Sequence, residues 1–93
     1  MTLHIVNQSP HAGSALRDCL NAFAEGDALL LIEDGVYAAQ EKAPLELPEN
    51  DVFVLSADAE ARGIAIAPDL TAIDDLRWVT LCVEHTPIVS WFR

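Results

Sequence analysis

Two cysteines and one pair of adjacent carboxylates are the residues of this chain best suited to chemistry. Cys19 falls in a stretch where Leu16, Cys19, Leu20 and Phe23 recur at i, i+3, i+4 and i+7, the spacing of one helix face. On such a stripe a cysteine serves as a small buried hydrophobe. A reactive thiol instead needs exposure and a neighbour that lowers its pKa. Arg17 and a helix start between Pro10 and Ser14 favour that second reading, and Asp18 opposes it. Cys82 lies between Leu81 and Val83 with no cation nearby, and reads as buried and inert. Glu33-Asp34 stands where a strand should end. In open α/β sheets ligands gather outside the carboxyl ends of the strands, and adjacent carboxylates there can do acid–base work. The competing reading is a solvated turn, because Gly35 follows Asp34 and Asp-Gly is a turn dipeptide.

Other chemistries lack their residues. His4, His11 and His85 lie apart and neither cysteine sits in a C-x-x-C pair, so no metal site is expected. His85 follows a predicted helix, where an imidazole meets the helix dipole favourably. The chain has neither G-x-G-x-x-G nor G-x-x-x-x-G-K-[ST], and its four glycines (13, 26, 35 and 63) each suit a turn or cap. No cofactor is expected.

The elements that must position these residues alternate. Leu3–Val6 reads as a short strand interrupted by His4, followed by turn residues Asn7 to Gly13 and the Cys19 helix, which stops at Gly26. Ala28-Leu29-Leu30-Leu31-Ile32 is apolar without a break, which suits a central strand covered on both faces of a parallel sheet. Val36 to Lys42 is predicted as a short helix closed by Pro44, and Asp51 to Ser56 as a third strand. Ser56 or Asp58 is placed to cap a helix of one or two turns that Gly63 stops. Leu70–Ile73 is a weaker fourth strand. Asp74 is a good N-cap for a helix from Asp75 to Glu84, with Leu76, Val79, Cys82 and Val83 expected on its core face. Ile88 to Phe92 is a terminal strand. The order βαβαβαβαβ predicts one α/β domain over residues 1–93, with a mostly parallel five-stranded sheet between two helical layers.

Composition narrows the function. Of 93 residues, 52% are hydrophobic, rich for a chain that buries only about two-thirds of its surface. That excess predicts surface buried against a partner, with Trp91-Phe92 on an edge strand as one place for it and packing on the domain's own helices as the alternative. The net charge is −10, and one Lys and four Arg are scattered. Phosphate-backbone binding needs clustered cations, so direct nucleic-acid binding and anionic membranes are excluded. The opening MTLHIVNQSP lacks a basic leader before an apolar core, and no apolar run approaches the ~20 residues that span a bilayer. Two cysteines make no disulfide scaffold, so a cytoplasmic chain with free thiols is expected.

Three stretches carry a resemblance. Leu3-His4-Ile5-Val6-Asn7-Gln8-Ser9-Pro10 resembles the "LHTVNKSP"-like opening of the DsrH/TusB family. The run from Glu25 to Ala39, EGDALLLIEDGVYAA, resembles that family's "EGD-x-LLLIEDGVYAA" signature. Asp69 to Trp91 is similar to its closing pattern of strand, acidic cap, helix and C-terminal tryptophan, and Ala61-Arg62-Gly63 fits its "ARG" turn. The resemblance covers essentially the whole chain. It implies a DsrE-like, flavodoxin-like three-layer fold. It further implies the small third subunit of a heterohexameric sulfur relay holding two copies each of three homologous proteins. One branch, with DsrE and DsrF, serves sulfur oxidation; the other, with TusC and TusD, passes sulfur towards 2-thiouridine at the tRNA wobble position. In both, the principal persulfide cysteine belongs to the DsrE/TusD-type subunit, and a DsrC/TusE-type carrier receives the sulfur. Cys19 matches a cysteine of the DsrH branch that many TusB sequences lack. It is therefore the candidate auxiliary persulfide site, and it tilts the reading towards sulfur oxidation. The subunit itself is expected to be non-catalytic or auxiliary. A structural or interaction module without sulfur chemistry, and a stand-alone enzyme using Cys19 or Glu33-Asp34, are the alternatives.

Overall fold

The computed structural model describes residues 1–40 and 46–92. Its elements run β1 (Leu3–Val6), α1 (Ala15–Ala22), β2 (Ala28–Leu31), a 3-10 helix (Glu33–Ala39), β3 (Val52–Leu55), α2 (Ser56–Ala61), β4 (Thr71–Ile73), α3 (Asp75–Glu84) and β5 (Ile88–Trp91). The strands form one sheet in the order β4-β3-β2-β1-β5, and every neighbouring pair is parallel. The unbroken apolar run 28–32 takes the central place expected of it: every residue of β2 is buried. A strand with helices on both sides has no wet face, so alternation disappears.

The order of connection decides where the helices go. The chain steps from β1 to β2 to β3 to β4 in one direction, then returns past β1 to lay down β5. Parallel crossovers are right-handed, so three successive connections share one face and the return takes the other. Two cores result. Val6, Leu29, Leu31 and Val54 pack against Leu16 and Cys19 of α1, Val36 and Ala39 of the 3-10 helix, and Ala59 of α2. On the opposite face Leu3, Ile5, Leu30, Ile32 and Ile73 meet α3, through Leu81 with Trp78 and Cys82.

Local chemistry departs from the sequence reading at three places. The helix predicted over 36–42 begins three residues earlier, as a 3-10 helix, and 41–42 and Pro44 lie outside the described residues. Glu33 turns the chain at once with φ 49°, and Gly35 N donates to Ile32 O at 2.8 Å. Gly35 is required there, because a Cβ would strike the Val6 carbonyl oxygen. Neither Ser56 nor Asp58 caps α2: the Ser56 hydroxyl donates to Ile73 O at 2.7 Å, and Asp58 accepts from Glu33 N. The third departure is in α3. Asp74 caps it as expected, accepting from Arg77 N at 2.9 Å. Yet Leu76, Val79 and Val83, expected in the core, are 78%, 62% and 81% exposed. Two sides of this helix are apolar, so periodicity cannot choose between them; the side with the bulkiest residue, Trp78, together with Leu81, takes the sheet.

Candidate functional site

The carboxyl ends of β1 and β5 are the topological switch point of this sheet, since the chain leaves β1 towards β2 and returns on its other side. The loop after β1 folds back on itself. Gln8 Oε1 accepts from Ala15 N at 3.2 Å, so a loop side chain caps α1, while Ser14 Oγ turns to Asp18. Beyond it the carboxylate pair is committed to local structure. Arg62 Nε donates to Asp34 Oδ1 at 2.9 Å, and Arg62 Nη1 donates to Asp58 O at 3.2 Å. Asp34 is the first reason that Arg62's pKa is raised. Glu33 N donates to Asp58 Oδ2 at 2.7 Å, and Asn7 Nδ2 donates to Glu33 Oε2 at 3.4 Å. The motifs Glu33-Asp34-Gly35 and Ala61-Arg62-Gly63 are thus two halves of one clasp between the ends of β2 and α2. Glu33 and Asp34 are exposed, as in the solvated-turn reading, and an exposed carboxylate tied to a guanidinium is poorly placed as an acid or base.

Cys19 lies on the sheet-facing side of α1 with none of its surface exposed. Burial, and secondarily the Asp27 carboxylate, push its thiol up to about 12. Both effects disfavour the thiolate, which is the nucleophilic form. The Arg17 side of the argument fails for position, because Arg17 is exposed on the outer side of the helix while Cys19 faces the sheet. Cys82 is the more accessible of the two: it is half-buried at the margin of the α3 core, not enclosed as expected.

A polar constellation absent from the sequence reading lies beside Cys19. Trp91 Nε1 donates to His4 Nδ1 at 3.1 Å, and His4 Nε2 lies 2.9 Å from Asp27 Oδ2. An indole N–H can only donate, so Nδ1 accepts and the ring proton sits on Nε2, facing Asp27. Asp27 also accepts from Thr2 N at 2.9 Å and Ala24 N at 3.0 Å. Its pKa is lowered to about 2, chiefly by the His4 hydrogen bond. The His–Asp pair has the composition of a catalytic dyad, but both ring nitrogens are occupied and both residues are buried. It holds β1, the start of β2 and the end of β5 together. The signal in the sequence was a histidine inside an apolar strand, which must find partners.

His85 behaves as expected: its Nδ1 lies 2.9 Å from Leu81 O, which also accepts the His85 backbone N–H at 3.1 Å. Trp91 and Phe92 divide the two roles considered for them, Trp91 half-buried against His4 and Phe92 54% exposed. A groove of about 360 Å³ opens at the amino end of the strands, between Phe23, Asp27, Pro48 and Asp51. Among the described residues no three His, Cys, Asp or Glu side chains converge as a metal would require.

The profile of the family described as "DsrH like protein" matches residues 8–88. "Protein TusB" of Pectobacterium parmentieri is 38% identical over 95 residues, covering 96% of this chain and 99% of the relative. The chain belongs to the DsrH/TusB family. "Protein TusB" of Escherichia fergusonii is 37% identical over the same span. Among solved structures, the ychN protein of Escherichia coli superimposes with a TM-score of 0.74 at 12% identity, covering 96% of this chain and 97% of that one. The solution structure of protein Tm0979 from Thermotoga maritima gives 0.64 at 21% identity, covering 91% and 94%. These two likenesses establish the three-layer α/β fold and nothing more. The family profile spans both halves of the clasp, Glu33 to Gly35 and Ala61 to Gly63, and includes Cys19.

Proposed function

We propose that this DsrH/TusB-family chain is a subunit of a heterohexameric sulfur-relay complex, with DsrE/DsrF-like or TusD/TusC-like chains as its partners. The complex passes persulfide sulfur to a DsrC/TusE-type carrier in the cytoplasm, and this chain touches neither membrane nor nucleic acid. The observation that carries the reading is family membership over nearly the whole chain, joined to an apolar helix face that is exposed among the described residues. The TusB relatives, at 37–38% identity, support the branch that ends in wobble-uridine 2-thiolation. Cys19 is what favours the sulfur-oxidation branch, and its burial makes it equally a residue of the core.

The geometry supports a structural subunit more than a sulfur carrier. A persulfide forms when a thiolate attacks a sulfur donor, so the sulfur atom must be reachable and ionised. Cys19 is neither, and the sulfur in this reading rides on a partner's cysteine. The test is to reconstitute the complex, load it with a sulfur donor and locate persulfides by mass spectrometry. Sulfur should reach the carrier at an undiminished rate in Cys19→Ala. A persulfide on Cys19, with transfer lost in that variant, would make this chain a carrier in its own right. Failure of the chain to assemble with its neighbours would leave the interaction-module reading.

A further inference from the structure

Helix α3 has two apolar sides. Trp78, Leu81 and Cys82 face the sheet. Leu76, Val79 and Val83, at i, i+3 and i+7, form a second stripe about half a turn away, and all three are exposed. An apolar stripe along a helix is ordinarily the side that packs, and the described residues of this chain cover only one of the two stripes. Among the described residues no other helix packs on this face of the sheet. Apolar side chains scattered singly need no explanation; three in register on one helix do.

The margin of the stripe says what covers it. Asp74 and Asp75 close its amino end and Glu84 its carboxyl end, and the nearby cation, Arg77, is 3.0 Å from Glu84. A second copy of this chain packed in antiparallel fashion would set Asp74 and Asp75 against the partner's acidic end. Packed in parallel it would set aspartate against aspartate. Each arrangement places like charges together, in a chain that already carries −10. We infer that the Leu76–Val79–Val83 face is an interface for a different chain, one that presents an apolar surface edged by lysine or arginine. This rests on the proposed complex and names the surface through which the subunit enters it.

The experiment uses the complete complex formed with the co-expressed partner subunits, followed by native mass spectrometry and a binding titration. Three forms of the chain are compared: the wild type, Val79→Glu with Val83→Glu, and Asp75→Lys. All three positions are exposed, and circular dichroism with thermal melting confirms that each form folds. The double variant should bind its partner ~100-fold more weakly, the effect of losing central apolar contacts. Asp75→Lys should weaken binding ~10-fold at low salt, and the loss should shrink as salt screens it. Wild-type affinity in the double variant, with the complex intact, would overturn the assignment of this face and leave the proposed function standing. Tighter binding by Asp75→Lys would overturn the basic margin. A homodimer abolished by the double variant would make a second copy the occupant. A wild-type chain that does not assemble at all would remove the proposed function and this inference together.

Discussion

His4 illustrates what a polar side chain needs in order to sit inside an apolar strand. Each ring nitrogen has a partner, and the carboxylate that accepts the Nε2–H hydrogen bond is held by two backbone N–H groups. Removing that charge by Asp27→Asn leaves the donors facing a weaker acceptor, and should cost about 2 kcal/mol in urea unfolding. The pH dependence has a definite sign. Asp27 is a stronger acid when folded, at about 2 against an ordinary 3.8. Its contribution is therefore complete above about 3.8 and is lost as pH falls towards 2, where the unfolded chain takes up the proton first. The difference in stability between wild type and Asp27→Asn should shrink over that window, and a constant difference would show that the charge is not what matters. The thiols give a second prediction at this scale. Iodoacetamide should label Cys82 before Cys19 in the native protein, with Cys19 reacting only on unfolding; equal rates would contradict the burial of α1. The apolar stripe of Leu16, Cys19 and Leu20 already pointed to a buried thiol. The approach of Asp27 did not show, because it depends on how the β1 and β2 ends come together.

At the scale of elements, α3 separates what a pattern can tell from what it cannot. Leu81→Ala should destabilise the isolated chain by ~2–5 kcal/mol, because Leu81 fills the core beneath the helix. Val79→Ser should change it by less than ~0.5 kcal/mol, because that side chain meets solvent. Paired urea melts decide the matter, and comparable losses would mean that the outer stripe is packed after all. The strands were legible because their largely apolar runs are short and bounded by turn residues. The parallel pairing followed from strict alternation with helices. The α3 register was not legible, since the stripe of Leu76, Val79 and Val83 satisfies the helical period as well as the stripe that packs. The α2 caps were missed for a related reason: Ser56 and Asp58 are good capping types, but β4 and the Glu33 backbone claimed them. The clasp of Asp34 with Arg62 joins residues 28 apart in sequence, and spacing carries no sign of it.

For the molecule as a whole, the two faces of the sheet are unequally covered, and stability should follow. Among the described residues one face is closed by α1, the 3-10 helix and α2, the other by one ten-residue helix. Local opening costs least where few apolar groups are buried. In the isolated chain the α3 amides should therefore exchange with deuterium well before those of β1 and β2, which lie at the centre of the sheet with both faces buried. Binding to the native state alone slows every opening that breaks the interface, in proportion to partner concentration over the dissociation constant. If a partner sits on Leu76, Val79 and Val83, assembly should slow α3 exchange most and the β1 and β2 amides much less, since the latter are already protected. Salt offers an independent check, because a net charge of −10 opposes folding by self-repulsion that ions screen. Raising ionic strength should thus stabilise the isolated chain while loosening a complex joined through opposite charges at its margin. The two responses have opposite signs, and a complex that tightens with salt would point to an interface held by apolar contact alone.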